Sequence, residues 1–100
     1  MKYLHTGIPV ARKMDGMTYA APLKVWIKLE PAYATEFLHF EPDSPMAGLI
    51  QNRAHVAYEV PDIDSAIEGK SLLLPKFDLG NAYIAFIWDK ETVVEFYQNK

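Results

Sequence analysis

One hundred residues and 11.4 kDa hold one domain and one core, with no room for a second. Half of the residues are hydrophobic and 23% are charged, the composition of a folded chain rather than a disordered one. The absence of cysteine excludes disulfides, thiolate zinc sites and thiol nucleophiles, and a net charge of −3 argues against nucleic acid or an anionic membrane as the main partner.

The longest apolar run, Ala82 to Trp88, is far short of the roughly 20 residues that a membrane span needs. The opening MKYLHTGIPV has no long apolar stretch of the secretory kind, so a cytoplasmic location is expected. The acidic excess lies wholly in the second half of the chain and reads as solvated surface.

Strands dominate the chain order. Residues 3–10 are β-rich and run into a polar stretch, ARKMDGMT. LKVWIKLE over 23–30 alternates Lys24, Trp26 and Lys28 with Val25, Ile27 and Leu29, the period of a strand, and Pro31 stops it because proline cannot donate to a ladder. TEFLHFE over 35–41 is the next strand. Residues 42–54, with two prolines, a glycine and an asparagine, read as a linker between half-modules at roughly 1–41 and 55–100.

The second half opens with a strand over 55–60, HVAYEV. A helix follows, with Asp62 or Asp64 as its N-cap, an apolar stripe of Ile63, Ala66 and Ile67, and Gly69 as its stop. Strands over 71–74, 82–88 and 92–98 complete a β-α-β-β-β order, with Gly80-Asn81 as a turn. The fold class is α+β.

The halves resemble each other. LHTGIPV and AHVAYEV each lead with a histidine followed two residues later by a small residue, Gly7 or Ala57. TEFLHF and VVEFYQ each place an aromatic after a glutamate, Glu36-Phe37 and Glu95-Phe96. Two similar halves imply a pseudo-twofold pairing. Strand alternation puts Glu36 on a face with Leu38 and Phe40, Glu95 with Val93 and Tyr97, His5 with Tyr3 and Gly7, and His55 with Ala57 and Glu59. A carboxylate on an apolar face is costly unless paired, protonated or bound to a metal. If the halves pair, two imidazoles and two carboxylates converge on one concave surface. That donor set suits zinc, nickel, cobalt, manganese or iron(II) and leaves positions for substrate oxygens. Taken singly, a strand histidine or glutamate is more often structural or solvated. His39 lies on the opposite side of its strand from Glu36 and is expected to be exposed. Trp26, Tyr58, Phe86 and Trp88 read first as core or dimer-interface aromatics. No phosphate-cradling glycine loop, nucleophile elbow or HExxH occurs.

At these residues the chain resembles the vicinal oxygen chelate superfamily, which includes glyoxalase I, bleomycin resistance proteins, extradiol dioxygenases and methylmalonyl-CoA epimerase. HVAYEVPDIDSAIEGKSLLLP with AYIAFIWDKETVVEFYQ looks like a complete βαβββ module, and LHTGIPV, LKVWIKLE and TEFLHFEPDSP look like a trimmed partner lacking its helix. The resemblance implies a curved, mostly antiparallel sheet around a metal-binding cavity, with His5, Glu36, His55 and Glu95 as ligands. It also implies Glu36 or Glu95 as the proton-moving base, and His5, His55 and Glu95 alone would make a dioxygenase-type triad. The implied function is that of a lyase, isomerase or dioxygenase on a small molecule with adjacent oxygens. A non-catalytic protein binding an antibiotic-like or aromatic ligand is the alternative, favoured by an aromatic content of 13%. Nothing in the chain is recognisable as a glutathione site. The trimmed module leaves sheet edges that a homodimer would cover.

Overall fold

A computed structural model describes residues 1–100. Its eight strands are β1 (Lys2–Pro9), β2 (Thr18–Ala20), β3 (Val25–Glu30), β4 (Thr35–Phe40), β5 (His55–Glu59), β6 (Ser71–Asp78), β7 (Ala82–Asp89) and β8 (Thr92–Asn99). Two short helices interrupt them, α1 (Gly48–Asn52) and α2 (Ile63–Ala66). No helix is long and apolar enough to cross a membrane.

All eight strands form one curled, half-barrel sheet in the order β2-β3-β4-β1-β5-β8-β7-β6. The order reads as two four-stranded units joined back to back at β1 and β5, with β1–β4 and β5–β8 parallel and every other pair antiparallel. This is the mostly antiparallel α+β arrangement that the resemblance implies.

Local chemistry explains where the strand limits depart from the sequence reading. Residues 21–23 form a tight 3-10 turn with Pro22 in its first positions, so β3 begins at Val25 rather than at Leu23. Thr18–Ala20, inside or just beyond the polar stretch, pairs with β3 as a three-residue edge strand; it is too short to show a period. β6 runs through Pro75 to Asp78, well past residue 74. It is an edge strand whose register shifts around the proline, so a missing ladder donor is tolerated.

The helix of the second half is shorter than the sequence suggests. Asp62 caps it, accepting from the Asp64 amide at 3.2 Å and the Ser65 hydroxyl at 2.7 Å, but regular structure ends at Ala66. Its stripe does what the spacing implies. Ile63, Ala66 and Ile67 cover the convex face of β7 and β8 against Ala85, Ile87 and Phe96.

The first half has no such helix. Residues 10–17 cross its convex face instead: the Val10 carbonyl lies 3.2 Å from His39 Nδ1, and Lys13 Nζ sits 3.7 Å over the Trp26 ring. The concave face is closed by the linker. Met46 and Ile50 drop from it into a core with Leu23, Val25, Leu38, Ile84, Phe86 and Val93.

Candidate metal centre

Strand register brings the two halves' histidines and glutamates to one place. Across the antiparallel β1–β5 seam, His5 faces Ala57 and Gly7 faces His55. Across the parallel pairs, Gly7 lies beside Glu36 and Ala57 beside Glu95. The small residue two places after each histidine is therefore the floor beneath the opposite imidazole. At Gly7 the requirement is strict: a Cβ there would lie 2.1 Å from His55 Cε1 and 2.4 Å from its Nε2.

Four donors cluster over this floor. His55 Nε2 is 3.1 Å from Glu95 Oε1, and His5 Nε2 is 3.5 Å from both Glu95 Oε1 and Glu36 Oε1. One ligand atom from each residue falls within 4.8 Å of all the others. The His55 ring is wedged in place, 5.8 Å from His5 and 5.0 Å from Phe86 between centroids, both contacts edge-on. Glu95 joins both imidazoles, whereas Glu36 touches only His5 and its side chain is twice as exposed, 20% against 10%.

Burial and like charge act on each group. Burial raises the Glu36 pKa above the ordinary 4.5, and the neighbouring Glu95 carboxylate raises it further. Burial also works to raise Glu95, but the two imidazoles of His5 and His55 beside it outweigh that and hold its pKa below 4.5. At His5 burial pulls downward, and Glu95 and Glu36 overcome it, raising the pKa above 6.5.

The cluster is compatible with a divalent cation. His5 Nε2 is buried, faces two carboxylates and makes no hydrogen bond, the condition of a donor lacking an acceptor of its lone pair. Two donors bonded at about 2.1 Å to one ion lie at most about 4.2 Å apart, so the observed spread requires adjustments of only about half an ångström. Two carboxylates held close on an apolar face are also what a cation would relieve.

The four residues singled out in the sequence are thus together, but some neighbours differ. A bulge between Tyr3 and His5 turns Tyr3 off the histidine's face; its ring packs edge-on to Tyr58 at 6.0 Å, and its hydroxyl is 2.6 Å from that of Thr6. His39 is half-buried rather than exposed, held at the Val10 carbonyl and away from the cluster. Trp26 is also outside, donating from Nε1 to Glu41 at 2.8 Å and packed on Tyr19. Of the four aromatics, Phe86 alone lines the cavity.

That cavity, about 130 Å³, opens beside the cluster. Met46, Ile50 and Leu79 line it and were not legible as site residues. Met46 and Ile50 stand four apart, a helical spacing, yet α1 has only five residues and sits among linker-type composition.

No family model and no curated protein sequence matches the chain. Solved structures match its fold, two of them as follows. One, a hypothetical protein, BH1468 from Bacillus halodurans C-125, superposes with a TM-score of 0.65 at 22% identity, covering 99% of this chain and 94% of that one. The other, methylmalonyl-CoA epimerase from Mycobacterium tuberculosis, gives a TM-score of 0.64 at 17% identity, covering 99% and 88%. The chain has the vicinal oxygen chelate fold. It carries a His2Glu2 cluster compatible with a metal where the two modules meet.

Proposed function

We propose that this protein binds one divalent metal ion through His5, His55, Glu95 and Glu36 and acts on a small molecule with adjacent oxygens, as an isomerase, lyase or dioxygenase. The observation that carries this reading is the convergence of four donor atoms, one a buried imidazole nitrogen that makes no hydrogen bond. The fold match to an epimerase is consistent with proton-transfer chemistry. When bound, the ion would supply positive charge that polarises substrate oxygens.

The chain's own groups divide the remaining tasks. Glu95, fixed between two imidazoles, orients them and is the anchoring carboxylate. Glu36 contacts one imidazole only, and burial favours its protonated form, so its carboxyl oxygen is the one suited to take and return a proton. The apolar wall beside the cluster lowers the local polarity and so strengthens each electrostatic contact.

Metal analysis by mass spectrometry tests the proposal. Wild-type protein reconstituted with zinc, nickel, manganese or iron(II) should hold about one ion per chain, and Glu95→Ala should hold almost none. Glu36→Gln should retain an ion yet lose exchange of substrate carbon-bound hydrogen with solvent. Failure to take up any of the four metals sinks the chelate reading. Metal uptake with no exchange or turnover on any α-hydroxy or α-keto compound favours the ligand-binding alternative.

A further inference from the structure

The cavity beside the cluster constrains the charge of what enters it. Apart from the four cluster residues, its lining is hydrophobic, including Leu23, Val25, Phe40, Ile50 and Ile84, with the Tyr97 phenol as the one further polar group. No lysine or arginine reaches it. Three basic side chains are engaged elsewhere, Lys24 with Asp43, Lys13 over Trp26 and Arg53 over Trp88, and none of them lines the cavity.

Two glutamates balance the charge of one divalent ion. A carboxylate or phosphate entering the same space would leave a net negative charge against an apolar lining with no basic group, which is costly without a partner. Volume sets the scale of the group seated beside the cluster: the space there is about 130 Å³ and open on one side, and an apolar cavity of about 150 Å³ accommodates a molecule of the size of benzene, about six heavy atoms.

We infer that the ligand of this site is an uncharged, compact α-hydroxy or α-keto carbonyl compound with short apolar substituents, and not an organic acid, a phosphate ester or a thioester of a large anionic carrier. This rests on the metal-chelate reading for the role of the paired oxygens. The exclusion of anions rests on the lining.

Acetoin and lactate make the test, because they differ chiefly by an acetyl group in place of a carboxylate. Each is titrated into zinc-loaded and metal-free protein, and the methyl signals of Ile50, Ile84 and Leu38 are followed by NMR. Acetoin should shift these signals and bind the loaded protein at least tenfold more tightly than lactate. Benzoin, whose two phenyl rings exceed the space beside the cluster, should leave them unmoved. Acetoin binding that is preferred over lactate but identical with and without zinc removes the chelate reading while the inferred ligand class stands. Lactate binding as tightly as acetoin, cavity shifts with benzoin as large as with acetoin, or no shift with acetoin at all overturns the inference whatever the metal content.

Discussion

Substitution of Gly7 by alanine isolates the feature that lets the centre form. The added Cβ would stand 2.1 Å from His55 Cε1, whereas ordinary contact begins near 3.4 Å, so the ring must retreat by more than an ångström. It has nowhere easy to go, being almost fully buried with Phe86 edge-on against it. Overpacking of this kind costs about 1–3 kcal/mol. For a domain of this size that corresponds to a fall in melting temperature of about 4–8 °C per kcal/mol. The displaced ring also carries Nε2 away from Glu95, and metal affinity should drop by about 10–100-fold.

Thermal melts with and without zinc read both effects. His55→Ala supplies the control, since in its background Gly7→Ala should cost almost nothing and the coupling energy should exceed about 1 kcal/mol. A Gly7→Ala protein with unchanged stability and zinc affinity, or one whose cost persists after the imidazole is removed, would refute the steric account of the centre.

Metal affinity should rise with pH through the mildly acid range into neutrality. The raised pKa values of Glu36 and His5 mean that protons must leave as an ion binds; each proton displaced contributes up to about tenfold per pH unit, readable by zinc competition titration. In metal-free protein the sign reverses. Both folded pKa values are raised, so their stabilisation is complete below the unfolded values of 4.5 and 6.5 and is lost as pH rises through the folded ones. Glu95, with a lowered pKa, contributes stability above 4.5 that is lost on further acidification, so metal-free melts should peak in mild acid. Ile50→Ala should cost about 2–5 kcal/mol by chemical denaturation and enlarge the cavity, because Ile50 is fully buried in the concave core; a loss under about 1 kcal/mol would mean the linker does not seal it.

The sequence by itself marked out the two similar halves and the two histidines and two glutamates that the fold brings together. Those conclusions follow from short-range signals. Period-two alternation places side chains on faces, prolines and glycines mark ends, and a His-small-residue pattern recurs at the same place in each half. What they could not supply is anything set by an irregularity or by packing between distant segments. A one-residue bulge moved Tyr3 to the other face, and edge position let β6 continue through Pro75. A five-residue helix with too few turns to show periodicity delivered Ile50 to the cavity, and the loop just before it delivered Met46. The register across β1 and β5 decided the site itself. Only when Gly7 lies opposite His55, and Ala57 opposite His5, do two strand histidines converge on two strand glutamates, because side-chain direction is a local property and strand pairing is not.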